Sequence, residues 1–280
     1  MLANVNGVNL WYTILGTGTP CVVISAAGIP IYEWTTSAKL AQHLQFVFVE
    51  LRGTGRSGGN ITDLTFDTMS DDLDALRAHL GLGRGLVWGH SVHGVLAIEY
   101  AKRRAACVSH AVAIGAPPRF TDTEAFSAQQ RRFWTEDAST ERKAVLAANH
   151  AALNPEVVQT AMTSSESFIA LYVANGPVYW YDPQFDATPL WADHVVRPEA
   201  AAHIFGTLTP GWDIERLDPI GVPLFVALGR YDYSVPYVRW EGLDNRLTSA
   251  TIRRYEHSGH YPHWEEPQAF AADFLAWLGM

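Results

Sequence analysis

The sequence predicts an α/β fold: a mostly parallel central sheet flanked by helices, with a helical segment inserted between its two halves. Three observations predict it. Strand-like and helix-like stretches alternate over residues 1–117. The alternation returns after residue 213. Between them, from about Pro118 to Asp213, strand-like runs disappear and the chain reads as helical, with breaks at NGPVYWYDPQFDATP and RP. A structureless loop of that length is rare in a compact domain. Residues 118–213 are therefore assigned to a helical cap over a core made of 1–117 and 214–280.

Each element carries its own local signal. VNGVNLWYTI alternates and carries a turn at Asn6-Gly7, the mark of a hairpin. CVVIS is a short apolar run, read as a buried strand. A helical stretch is expected near Ser37 to His43, then a strand at QFVFVEL. The loop RGTGRSGGN is rich in glycine. In TFDTMSDDLDALRAHLGL, Met69, Leu73, Leu76 and Leu80 fall on one helical face, with Gly81 as the stop. GLVWG is a strand, VLAIEYAKRR a helix, and VSHAVAIGAPP a strand ended by prolines. Late in the chain GVPLFVALG reads as a strand, YVRWEGLDNRL as a helix, ATIRRYEH as a strand and PQAFAADFLAWLG as a last helix.

Composition narrows the partners. The chain has 280 residues, of which 48% are hydrophobic, enough for a sizeable core. A formal net charge of -9 argues against nucleic acid and anionic membrane surfaces, which call for basic patches. Cys21 and Cys107 sit in apolar, strand-like contexts and read as two buried thiols. The N-terminal stretch has no basic start, long apolar run or cleavage signal, and no segment approaches the roughly twenty apolar residues of a membrane span. The expectation is a cytoplasmic monomer or homodimer acting on a small molecule.

GLVWGHSVHGV, residues 85–95, carries the chemistry. A strand, a tight turn and a helix surround Ser91. Such a corner lifts a hydroxyl clear of the sheet and aims helix N-terminal N–H groups at developing negative charge. Gly89 and Gly94 supply room for the turn. A serine hydroxyl alone is a poor nucleophile. It needs a base within hydrogen-bond reach, and that base needs an orienting acid. Asp232 follows an apolar strand in ALGRYDYSVP, and His260 follows the last strand in HSGHYPHWEEP.

Taken together, RGTGRSGG, GHSVHG, GRYDYSVP and SGHYPHWEEP resemble the motifs of the α/β-hydrolase fold superfamily, in the superfamily's order Ser, Asp, His. The chain resembles its serine hydrolases with a cap domain, over both core segments. The resemblance implies Ser91 as nucleophile, His260 as general base and Asp232 as its orienter. It implies an oxyanion hole from the backbone N–H groups of Val92 and of the loop Ser25-Ala26-Ala27-Gly28, with Ala27 the second donor. Asp122 is the competing acid, near the end of the preceding core strand. His93 stands where the superfamily usually has glycine; its ring is expected to lie along the helix and bond a neighbouring element, as a packing variation, with a proton relay or a substrate contact as the alternative. His90, Trp134, Trp180 and Tyr181 are assigned to the substrate pocket.

Other chemistries are weaker. His257, His260 and His263 are evenly spaced but lack a metal-binding carboxylate motif, so no metal is expected. RGTGRSGG has no following Lys-Ser/Thr pair, which removes a phosphate loop, and no cofactor is expected. The resemblance implies a serine hydrolase for a small or medium apolar ester or lactone. Its alternatives are an amidase or aminopeptidase, a carbon–carbon bond hydrolase, perhydrolase or lyase on the same triad, or a slow-turnover receptor. An aminopeptidase calls for a cap carboxylate, and Glu124, Glu136, Asp137, Glu166, Asp182 and Asp186 are available.

Overall fold

The structure, a computed structural model, describes residues 1–26, 28–217 and 219–280, with all their side chains except that of Thr123. Among the described residues eight strands form one sheet: β1 (Leu2–Val5), β2 (Val8–Leu15), β3 (Thr19–Ser25), β4 (Leu44–Glu50), β5 (Gly85–His90), β6 (Val108–Ile114), β7 (Leu224–Gly229) and β8 (Ala250–Tyr255). Their spatial order is β1-β2-β4-β3-β5-β6-β7-β8. β1 and β2 pair antiparallel, as does β2 with β4; every pairing from β4 to β8 is parallel. The Asn6-Gly7 hairpin forms, both residues taking positive φ (48° and 78°) as such a two-residue turn demands.

The period of two along each strand divides the apolar residues between two cores. On β3, Val22 and Ile24 join the cluster under α2 (Phe66–His79) and α3 (Val92–Arg103), while Cys21 and Val23 join the opposite cluster. Trp88 of β5 anchors that second core, packed against Phe46, Phe270 and Phe274 at centroid separations of 5.9, 5.6 and 5.4 Å. Aromatic pairs at such spacings add about 0.5–1.5 kcal/mol beyond area burial. α2 is held at its start by a capping box between Thr65 and Thr68, and Gly81 follows its end at φ 64°. Cys21 and Cys107 are free thiols; Cys21 is buried and Cys107 half-buried.

Two expectations need correction. The first helix after β3 is α1 (Pro30–Thr35), and the stretch from Ser37 to His43 forms only a single 3₁₀ turn, at Leu40–Gln42. Pro30 starts α1 at the position where its missing N–H costs nothing. YVRWEGLDNRL forms a 3₁₀ turn, Tyr237–Trp240, and then irregular turns, because Gly242 adopts φ 78° and interrupts any helical continuation.

Between β6 and β7 the chain runs through α4 (Thr123–Asp137), α5 (Thr140–Ala152), α6 (Pro155–Thr160), α7 (Ser165–Ala174), α8 (Gly176–Tyr179) and α9 (Pro198–His203). An isolated antiparallel bridge joins Arg119 to Asp213 where this excursion leaves and rejoins the sheet. After β8 come α10 (Pro262–Glu265) and α11 (Pro267–Leu278). β3 leads to β4 on one side, and the chain then crosses to β5 on the other. A reversal of this kind opens a crevice at the carboxyl ends of the strands, the usual ligand position in an open α/β sheet.

Candidate active site

Ser91 sits in that crevice, between the end of β5 and the start of α3. Its backbone is at φ 56°, ψ -133°, a conformation that costs about 1–3 kcal/mol in a non-glycine residue. Two hydrogen bonds hold it there: Ser91 N–H donates to the Ile114 carbonyl at 2.7 Å, and Gly94 N–H donates to the Ser91 carbonyl at 2.9 Å. Small neighbours are obligatory. A Cβ on Gly89 would lie 2.0 Å from the His93 carbonyl oxygen, and one on Gly94 would lie 2.6 Å from Ala116 Cβ. Val92 is the first helical residue, so its N–H has no acceptor within the helix.

Asp232 lies in the turn after β7 and is 1% exposed. Its Oδ1 accepts from Ser234 N–H at 2.9 Å and Val235 N–H at 2.8 Å, and its Oδ2 lies 2.6 Å from His260 Nδ1. A carboxylate offers only acceptors. The proton of the neutral imidazole therefore sits on Nδ1, and Nε2 keeps its lone pair. His260 is itself buried, its backbone N–H tied to the Tyr179 carbonyl. Gly115, at φ 53° after β6, makes room for the ring: a Cβ there would lie 2.8 Å from His260 Nδ1. Asp122, the competing acid, is exposed and caps α4 by accepting from Ala125 N–H at 2.9 Å.

Ser91 and His260 line one cavity of about 220 Å³. Among the described residues no hydrogen bond joins Ser91 Oγ to the imidazole. Such bonds commonly tighten only when substrate arrives. The excursion closes the cavity with Phe168, Tyr172, Tyr179, Trp191, Val196 and Arg197, and α1 adds Ile31 and Tyr32. A larger, open groove of about 880 Å³ runs along α5 and α7 but includes none of Ser91, Asp232 or His260, so the smaller cavity is the candidate site.

Of the four residues assigned to the pocket from sequence, His90 lines the cavity. It is buried, stacks on Tyr261 at 4.2 Å and donates from Nε2 to the His260 carbonyl at 3.0 Å. The other three lie elsewhere. Trp180 is 1% exposed and stacks on the far side of Tyr261 at 4.4 Å, Tyr181 is 40% exposed, and Trp134 packs on Tyr233 at 5.1 Å. Tyr179, one position before Trp180, is the member of that aromatic run that reaches the cavity. Ala27 lies outside the described residues.

His93 does bond neighbouring elements. Its Nε2 accepts from Ala26 N–H at 3.2 Å, and its Nδ1 lies 2.9 Å from Tyr32 Oη. Burial pushes its imidazole down to about 4, against the His90 carbonyl, which raises it. His257 is exposed and His263 faces Thr35 Oγ1 at 3.2 Å, so the three evenly spaced histidines have separate partners. Among the described residues no cluster of three or more potential ligands for a metal ion occurs, and no helix is long and apolar enough to cross a membrane.

A family model described as alpha/beta hydrolase fold matches residues 31–267. An AB hydrolase superfamily protein of Bacillus subtilis, YclE, is 28% identical over 98% of this chain and 96% of its own length. Two solved structures share the fold at 18% identity. An esterase from Exiguobacterium antarcticum has a TM-score of 0.65, covering 99% of this chain and 97% of its own. An enol-lactonase from Burkholderia xenovorans has a TM-score of 0.66 with both chains fully covered, 100% and 100%.

Proposed function

The chain belongs to the alpha/beta hydrolase fold family, and on that premise we propose that it is a serine hydrolase cleaving small, largely apolar esters or lactones through Ser91, His260 and Asp232. One observation carries the proposal: a buried Asp232–His260 pair at 2.6 Å opens onto the same cavity as a serine held at a strained strand-to-helix corner.

The chemistry rests on the proton positions. Asp232 keeps the His260 proton on Nδ1, so Nε2 receives the Ser91 hydroxyl proton as Oγ bonds to the substrate carbonyl carbon. The π pair moves onto the carbonyl oxygen, where Val92 N–H and the positive end of α3 stabilise it. His260 returns the proton to the departing alkoxide, leaving an acyl group on Oγ. Water repeats the sequence in reverse and frees the acid. The helical excursion acts as the cap, excluding bulk water and shaping the acyl pocket.

The walls support the substrate class. At about 220 Å³ the cavity is smaller than the roughly 300–1,000 Å³ of sites for drug-sized ligands. Apolar and aromatic side chains dominate its walls, and among the described residues none is a carboxylate. An aminopeptidase would place a carboxylate there to meet a free amine, so the ester or lactone reading is favoured.

Turnover of esters graded in acyl length, with a matching set of lactones and aminoacyl amides, tests the proposal. Short acyl esters or lactones are expected to turn over, with kcat/KM falling as the acyl chain outgrows the cavity. Ser91→Ala is expected to abolish turnover. Hydrolysis of the aminoacyl amides in preference to every ester and lactone would overturn the substrate class.

A further inference from the structure

His93 decides the state of a second hydroxyl in the cavity. A backbone N–H can only donate, so the Ala26 N–H at 3.2 Å requires a lone pair on His93 Nε2. The neutral ring then carries its proton on Nδ1. Burial holds the ring neutral, its titration lowered to about 4. Nδ1–H therefore donates to Tyr32 Oη, 2.9 Å away. Tyr32 accepts in that bond, and its own O–H proton remains available. Among the described residues it has no acceptor. Burial pushes the Tyr32 phenol up, so the proton stays on the oxygen across the neutral range. Tyr32 and His93 line the cavity together with Ser91 and Val92. The same network consumes Ala26 N–H, a donor of the loop after β3, before any substrate arrives.

From this geometry we infer that the Tyr32 hydroxyl is a catalytic donor to the substrate oxyanion, held in donor form by His93 as a positioning residue. The inference rests on the serine-hydrolase reading above and adds a side-chain donor to the backbone N–H of Val92. As Ser91 Oγ bonds to the carbonyl carbon, the carbonyl π pair moves onto oxygen, and Tyr32 donates a hydrogen bond to that oxygen without losing its proton. The histidine at the elbow thus has a specific use. Glycine there would leave Tyr32 without its orienting donor.

Phosphonate labelling of the wild-type protein comes first, because it reports on Ser91 independently of Tyr32. Failure to label Ser91 overturns the underlying reading. Where Ser91 is labelled, the kinetics of the Tyr32 and His93 variants test the oxyanion donor alone. Tyr32→Phe, with its thermal midpoint measured, is expected to lose about 10²-fold in kcat, the loss typical of one oxyanion donor. KM is expected to stay within about threefold. The loss is expected to be uniform across aryl esters of different leaving-group basicity. An unchanged kcat, a change confined to KM, or a loss that grows with leaving-group basicity overturns the inference. His93→Gln, which can both accept from Ala26 and donate to Tyr32, is expected to recover at least about tenfold of what His93→Leu loses. Equal losses in the two variants overturn the positioning role, and this pair decides the matter should Tyr32→Phe not fold.

Discussion

Asp137, at the end of α4, grips the turn that carries Asp232. Arg230 donates to it from Nη1 and Nη2 at 2.9 and 2.6 Å, and Tyr233 Oη donates at 2.9 Å. Both donors flank Asp232 in sequence, so a helix of the excursion positions the acid of the proposed triad. Asp137→Asn is expected to cost about 2 kcal/mol of stability, the worth of a charge-assisted pair only partly exposed. Arg230 holds the Asp137 carboxyl below its ordinary value of 3.8. A depressed carboxylate stabilises the fold above its unfolded pKa and loses that contribution as pH falls through the folded one. The difference between wild type and variant in denaturant unfolding is expected to be constant from pH 7 to 5 and to shrink below about pH 4.

Asp232→Asn keeps the shape of the turn and reverses the logic of the proton. An amide aimed through its nitrogen at His260 would force the imidazole to hold its proton on Nε2, where it cannot take one from Ser91. The expected loss is about 10³- to 10⁴-fold in kcat at neutral pH with little change in KM. Steady-state kinetics on the best ester of the graded series checks it.

Gly115→Ala tests how His260 is seated. The added methyl would lie 2.8 Å from His260 Nδ1 and 3.0 Å from its Cε1, at a φ of 53° that alanine resists. The ring must move, and a shift near 1 Å commonly costs about 10²-fold in rate. The variant is expected to lose at least about tenfold in kcat while its thermal midpoint shows a smaller relative effect than that of Asp137→Asn.

Glu265 gives the fold a second pH dependence. Its carboxylate accepts from Tyr181 N–H at 2.6 Å, and from Gly259 and Tyr261 N–H, on either side of His260, at 2.8 and 3.4 Å. Burial pushes the group up from 4.5 to about 7, against those three donors, with the charge of Asp232 adding to the rise. A carboxyl whose folded pKa exceeds its unfolded one binds more protons when folded. The contribution of Glu265 to stability is therefore greatest below about pH 4.5 and declines as pH rises toward 7. A single carboxyl exchanges at most one proton, so the slope stays below about 1.4 kcal/mol per pH unit. Glu265→Gln is expected to flatten that slope in unfolding measured from pH 4.5 to 7.5.

The elements of the sheet were legible in the sequence because each is a short contiguous run with a clear period and a turn residue at its end. The segments bearing Ser91, Asp232 and His260 were legible for the same reason. The turn chemistry that places each side chain lies within a few residues of it. The cavity wall was not legible. Tyr32, Trp191 and Arg197 come from separate elements, Phe168 and Tyr172 share α7, and no local pattern marks which of these distant segments meet. The run VYWYDPQF shows the difficulty. Tyr179 reaches the cavity, Trp180 turns into the core and Tyr181 meets solvent. Hydropathy does not distinguish the first two. The role of His93 had a partial signal in its departure from glycine. Its partners, Ala26 and Tyr32, lie 67 and 61 positions away in sequence and needed the fold to be seen.

Intact-mass analysis after brief exposure to a slowly deacylating aryl ester is the sharpest test of the proposed triad, since such a triad forms a covalent acyl group on its serine. Wild type is expected to carry a single acyl adduct, mapped by peptide sequencing to Ser91, absent from Ser91→Ala and accumulating far more slowly in His260→Ala. An adduct on any other side chain, or rapid turnover by Ser91→Ala with no adduct at all, would contradict it.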